Sequence, residues 1–253
     1  MPLYNWTSGA SLTLTATDTV SFIDGETKTD VTVTYNTAVG KPEDPVKEGY
    51  AFQGWYTESE EEYDFEEVVR EPISLYAKWE ECTLTITFKA NGGMGSMDQQ
   101  TIKGSDESKT LTPNGFTREG YAFAGWKVTG GTDVYEDEAD VSDLLTKVGG
   151  TLSLDAQWAT YDVTVTFNAN GGTGTMAAQT FKSQTATALK DNGFTREGYT
   201  FAYWSTTASG TGTTYADKAT VTLTGNLALY AIWSQTPVAV YAVTFDSKGG
   251  SDV

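Results

Sequence analysis

The stretch GFTREGYTFAYW, Gly193–Trp204, recurs as GFTREGYAFAGW at Gly115–Trp126 and, more loosely, as PVKEGYAFQGW at Pro45–Trp55. Three spellings of one motif mark tandem repetition, and the period is longer than the ~20–50 residues of a solenoid, so each repeat is expected to hold a private core. Gly120 and Gly198 follow Glu, where a tight turn calls for positive φ. Tyr121 and Phe123, like Tyr199 and Phe201, then alternate onto one face of a strand. Trp126 and Trp204 fall one residue out of phase with that face. Each therefore packs on the opposite face or is turned inward by a β-bulge. Gly54 and Gly125 precede the Trp in two copies and suit a bulge, whereas Tyr203 holds that place in the third.

Upstream of the motif, TLTITFKANGG (Thr83–Gly93) and DVTVTFNANGG (Asp162–Gly172) alternate with period two, with Val163, Val165 and Phe167 on one face as Leu84, Ile86 and Phe88 are. Downstream, ISLYAKW (Ile73–Trp79), TLSLDAQW (Thr151–Trp158) and NLALYAIW (Asn226–Trp233) superpose as closing strands. Leu75, Ala77 and Trp79 share a face, and Tyr230 with Ile232 makes the third copy apolar on both sides, as in a central strand. In the first copy the opening is TVSFIDGE (Thr19–Glu26), followed by VTVTYN (Val31–Asn36). Helix is expected to be scarce; the best candidates are Glu61–Glu71 and Ala139–Val148. The segments read as a leading strand or leader at 1–17, repeats at 18–80, 81–159 and 160–234, and a linker with the first strand of an incomplete fourth repeat at 235–253. Very short connectors, Glu80–Glu81 and Ala159–Thr160, predict a semi-rigid, elongated array.

The chain has 253 residues, 13% aromatic and 39% hydrophobic, enough for ordinary small cores. Its formal net charge of −18 disfavours nucleic acid and anionic lipid as partners. The acidity is graded, strongest in the first copy and absent as a net excess in the third; it reads as drift among exposed loops ahead of a device for head-to-tail contacts or a basic partner at the acidic end. There is no histidine, which removes the commonest general base and metal ligand. The single cysteine, Cys82, forms no intrachain disulfide and reads as a half-buried edge residue. No apolar run approaches a membrane span. The start, MPLYNWTSGASLTL, lacks the regions of a signal peptide, so an exported parent would have been processed or trimmed.

The order VTFxANGG, variable loop, REGYxFxGW, variable loop, LxLYAxW resembles the Listeria–Bacteroides repeat, in the class of the B repeats of internalin-type surface proteins. The resemblance covers three copies. The second departs at Asp155, where the pattern has Tyr, and the first carries Ile-Asp-Gly in place of Asn-Gly-Gly. It implies a mainly β fold of three tandem small β-grasp-like domains with the helix reduced or missing. It also implies a bacterial cell-surface location, no shared catalytic residues, and a role in spacing, display, self-association or adhesion to a host protein or glycan. Other domains of a longer surface protein would be the chain's neighbours.

Candidate chemistry weighs against the plainer readings. The loops KANGGMGSM (Lys89–Met97) and NANGGTGTM (Asn168–Met176) match neither dinucleotide nor Walker spacing and read as turns. The acidic run ESEEEYDFEE (Glu58–Glu67) offers carboxylates to a cation but lacks a ligand template, so no metal site or cofactor is assigned. Arg118 and Arg196, with Lys47 at the matching place, suggest a structural contact to a turn carbonyl or carboxylate ahead of an anion site. Without His, the catalytic options shrink to a Ser–Lys pair or to paired carboxylates, and no carboxylate stands in a recognisable catalytic context. At the ends, PLYNW (Pro2–Trp6) echoes a closing strand and AVTFDSKGG (Ala242–Gly250) an opening strand. Leu3, Tyr4 and Trp6, with Tyr241, Val243 and Phe245, are the candidate strands for head-to-tail self-association by β-augmentation.

Overall fold

The computed structural model describes residues 16–237 and 242–243. These residues are nearly all β, with no α-helix among them. Each of the three repeats supplies one mixed sheet. In the first, the strands Thr17–Asp24, Thr27–Thr34, Tyr50–Tyr56 and Ile73–Glu81 lie in the order second, opening, closing, middle. The opening and closing strands are parallel neighbours at the centre. In the third, Asp162–Asn168, Gln179–Lys182, Tyr199–Ser205 and Leu227–Gln235 repeat that order, with the short strand Thr214–Tyr215 added outside the middle strand. The second builds the same five-stranded sheet from Thr83–Lys89, Gln100–Lys103, Ala122–Val128, Val134–Tyr135 and Gly150–Ala159. Parallel neighbours cannot be joined by a tight hairpin. Here almost the whole repeat forms the crossover, which is why the motif order runs strand, turn, motif, closing strand.

The alternation read from sequence is the alternation of burial. Val163, Val165, Leu229 and Ala231 are fully buried in the third repeat, with Phe167 and Trp233 packed against them. Val20, Phe22 and Leu75 do the same in the first. Small two-stranded sheets, Thr37–Ala38 with Val68–Val69 and Thr187–Ala188 with Thr220–Val221, cover the other side of the first and third cores. They bring Val39 and Val69, or Leu189 and Val221, inward. Neither helix candidate forms a helix. Glu61–Glu71 is loop and short strand, and Ala139–Val148 contains only a single 3-10 turn at Ser142–Leu144. In the first of these, Tyr63 and Val69 point inward between exposed glutamates, so burial follows two anchor points and not a helical stripe.

By contact density the chain forms two compact units. One holds residues 16–89 together with 96–115 and 125–156. The other holds 90–95, 116–124 and 157–237.

Candidate functional site: the turns and joints of the repeats

The early tryptophan of each repeat is a core residue, and the bulge reading of its phase is correct. In the third repeat Phe201 pairs with Trp233 but Tyr203 pairs with Ile232, leaving Ala202 as the extra residue; in the first, Phe52 pairs with Trp79 and Gly54 with Lys78. The bulge turns Trp204 wholly inward and leaves Trp55 5% exposed, and Trp126 of the second repeat is likewise fully buried. Gly54 and Gly125 take positive φ at this point, whereas Tyr203 does not. The glycine is therefore not a requirement of the bulge. The buried indoles sit among aromatic neighbours, Phe167 and Phe201 for Trp204 and Phe22 and Phe52 for Trp55, at ring separations of 4.9–5.6 Å.

The late tryptophan pins the turn that ends the opening strand. Asn170 and Gly171 both have positive φ, and Gly172 N–H donates to the Ala169 carbonyl at 2.9 Å, the type I′ pattern that Asn-Gly favours. The Trp233 Nε1–H donates to that same carbonyl at 2.9 Å, and a Cβ on Gly172 would lie 2.5 Å from its Cζ2. Trp158, Ala90 and Gly93 repeat the arrangement, with the indole hydrogen bond at 3.0 Å. In the first repeat, which lacks Asn-Gly-Gly, the Asp24 carboxylate takes over and accepts from Trp79 Nε1–H at 2.8 Å. The Gly-rich loops are thus turns with a fixed indole on top of them.

The Lys/Arg-Glu-Gly-Tyr segment is a type II turn in all three copies. Gly49, Gly120 and Gly198 have φ of 75, 76 and 74°, and the Tyr N–H returns to the Lys or Arg carbonyl at 3.0–3.1 Å. Arg118 and Arg196 stack on the rings of Tyr121 and Tyr199 at 4.2 and 4.1 Å, and Lys47 lies over Tyr50 at 4.2 Å. Their guanidinium carbons also approach Gly92 and Gly171 of the neighbouring turn. The repeated cation therefore contacts an aromatic face, not the carbonyl or carboxylate expected, and ties two turns of its own repeat together.

This turn is also where the next repeat docks, which the sequence reading did not anticipate. Between the first two repeats, Cys82 N–H donates to Gly49 O at 2.8 Å and Gly104 N–H donates to Cys82 O at 2.9 Å. Gly49 and Gly104 meet backbone to backbone, so a Cβ on either would overlap the other. Ser105 donates to the Glu81 carboxylate through its side chain and through its N–H, the latter at 2.9 Å, and these hold the Glu81 pKa below the ordinary value. Cys82 is 1% exposed, a buried joint residue and not the half-buried edge residue expected; burial pushes its thiol pKa up. Between the second and third repeats the same turn is met differently. Ser183 Oγ–H donates to Gly120 O at 2.6 Å, its N–H donates to Tyr161 O at 2.7 Å, and Gln184 Nε2 donates to Glu119 O at 3.1 Å. The third turn has nothing within reach of a Gly198 Cβ, although Thr236 N–H caps Gly198 O at 2.9 Å. The only sequence signal of these joints was a Gly or Ser just after each second strand.

Of the proposed self-association residues, Leu3, Tyr4, Trp6, Tyr241 and Phe245 lie outside the described residues, and Val243 is exposed. The acidic run presents its glutamates to solvent, and no group of three metal-ligating side chains occurs among the described residues.

Sheet order, turn and joint define a class: tandem small β repeats, each closed by its own tryptophans. The chain belongs to the Listeria-Bacteroides repeat domain family, whose model matches residues 19–78, 85–146 and 164–232. It is 32% identical over 90% of its length to a protein of Evansella cellulosilytica described as a Gly-rich membrane protein, of which the match spans 25%. It is 36% identical over 44% of its length to internalin H of Listeria monocytogenes, of which the match spans 20%. The chain thus spans a third or less of the curated relatives it matches. Among solved structures, the type 2 repeat of the mucus binding protein MUB from Lactobacillus reuteri aligns with 87% of this chain and 99% of that one. It does so at 12% identity and a TM-score of 0.15, too loose to bear on the fold.

Proposed function

We propose that the chain is a non-catalytic module of a bacterial cell-surface protein, a semi-rigid spacer whose repeats are β-grasp sheets without the helix. The observation that carries the reading is the joint. One connecting residue, Cys82, hydrogen bonds to both repeats it links, and two glycines in contact leave no room for a hinge. A spacer needs coupling between neighbours, and the same turn serves as the dock twice in one chain. The spread of exposed carboxylates and the lack of histidine support the non-catalytic reading. The membrane and internalin descriptions of its relatives support the location.

Small-angle scattering and 15N relaxation on the same sample test the spacer. Coupled repeats give one long rotational correlation time and a scattering profile fitted by one conformation. Three short, independent correlation times would sink it. The adhesin reading keeps one supporting observation, an open apolar groove in the first repeat.

A further inference from the structure

One of the differences between the first repeat and the other two is the size of a peptide. In the third repeat the chain after the Asn-Gly-Gly turn runs back along the motif before entering its second strand. Thr173 and Thr195 exchange two backbone hydrogen bonds there, at 2.7 and 3.0 Å. Three residues later Met176 packs into the core, its sulfur accepting from Gly193 N–H at 3.2 Å. Phe194 lies alongside, 5% exposed and 6.1 Å from the Trp204 ring. Met94 and Thr117 form the same bridge in the second repeat, and Met97 accepts from Gly115 N–H.

The first repeat has neither part. Its opening hairpin turns tightly at Gly25 and enters an eight-residue second strand directly, so the returning segment is missing. Pro45 stands where the others have a buried Phe. What remains is a groove of about 260 Å³ with Phe22, Val31, Pro42, Pro45 and Trp55 on its apolar wall and Thr27 and Thr29 beside them. Val46, at the position of Thr117 and Thr195, is 96% exposed and makes no bridge among the described residues. Asp24 and Glu43 form the rim, in the most acidic of the three repeats.

We propose that this groove binds an extended peptide of another protein, uncharged to basic, that bridges the Val46 backbone and inserts one methionine-sized apolar side chain. The other two repeats supply the template, because there the same backbone position and the same aromatic floor are covered by a segment of that chemistry. The acidic rim sets the sign of the flanking charge. Strand-like addition to a free backbone provides affinity, and the pocket provides selection. This inference is independent of the spacer reading, since a rigid array binds or fails to bind through one repeat alone.

The probe is the synthetic peptide KANGGMGSM, the sequence of Lys89–Met97, titrated into the full 15N-labelled chain. Saturable shifts confined to Val31, Val46 and the Trp55 indole N–H are expected. They should weaken several-fold when the peptide lysine is replaced by glutamate. Pro45→Phe refills the groove, and it should abolish binding while keeping or raising the melting temperature. Val31→Lys, on an exposed strand edge, is the second variant and should weaken binding at least tenfold. No saturable shift at millimolar peptide, or undiminished binding by either folded variant, overturns the proposal. Growth of mass with concentration in the chain alone, lost in Pro45→Phe, would place a second copy in the groove and also overturn it.

Discussion

The first and third repeats share the order of their four main strands and several of their fastenings, and differ in how completely they close their cores. Both turn a bulged Trp inward, pin the opening strand with a second Trp, and present a Gly-centred type II turn beneath a stacked cation. The third then lays Met176 and Phe194 over Trp204, whereas the first leaves Trp55 at the edge of a groove and carries a longer second strand. The fastenings set the sheet order, and they tolerate replacement of parts: Asp24 does for Trp79 what a turn carbonyl does for Trp233. The cover over the core is separable from the fold, which leaves one repeat free to expose a surface.

The largest expected effect breaks the comparison at the two tryptophans. Trp204→Ala removes a fully enclosed indole and should cost about 3–5 kcal/mol in its repeat. Trp55→Ala, beside the groove, should cost clearly less. Urea unfolding of each variant measures both, and equal losses would mean that the groove does not loosen the first core. Next come the joints. Gly104→Ala forces a methyl onto the Gly49 carbonyl and should cost about 1–3 kcal/mol, as overpacking does. It should also split one unfolding transition into two. Gly198→Ala has open space around it and should cost only the ~1–2 kcal/mol of a left-handed non-glycine residue, with no splitting.

The smallest effect separates the two joints by pH. Glu81 has a lowered folded pKa because Ser105 donates to its carboxylate. Its contribution is present above the unfolded carboxylate's pKa and is lost as pH falls through the lower folded value. The first joint should therefore loosen in acid, seen as earlier separation of the first two melting transitions. Glu81→Gln should flatten that dependence. The second joint, built on Ser183 and Gln184, has no titrating group in its hydrogen bonds and should be indifferent over the same range.

Much of this was legible in the residues. Period-two alternation located the opening and closing strands because one face of each is buried. The out-of-phase Trp after Tyr-x-Phe left two readings, the opposite face or a bulge, and the pairing register decided for the bulge in the first and third repeats. Asn-Gly-Gly and Glu-Gly announced turns because both need positive φ. The stretch Glu61–Glu71 misled because two inward anchors, Tyr63 and Val69, can be met by a loop as well as by a helix. Cys82 was misplaced for a related reason: a residue beside a strand pattern reads as an edge until its neighbour in space is known.

The sequence by itself determined the repeats, the strands, the turns and the tryptophan pairs, since each rests on contacts within one local pattern or on the backbone demands of single residues. Only the tertiary structure decided which turn receives the next repeat, how a buried cysteine and two touching glycines make the joint, and that the missing Met segment and the Pro at 45 open a groove onto Trp55. Those outcomes depend on residues far apart in the chain approaching within van der Waals distance. The space a side chain leaves empty is a property of its neighbours in three dimensions.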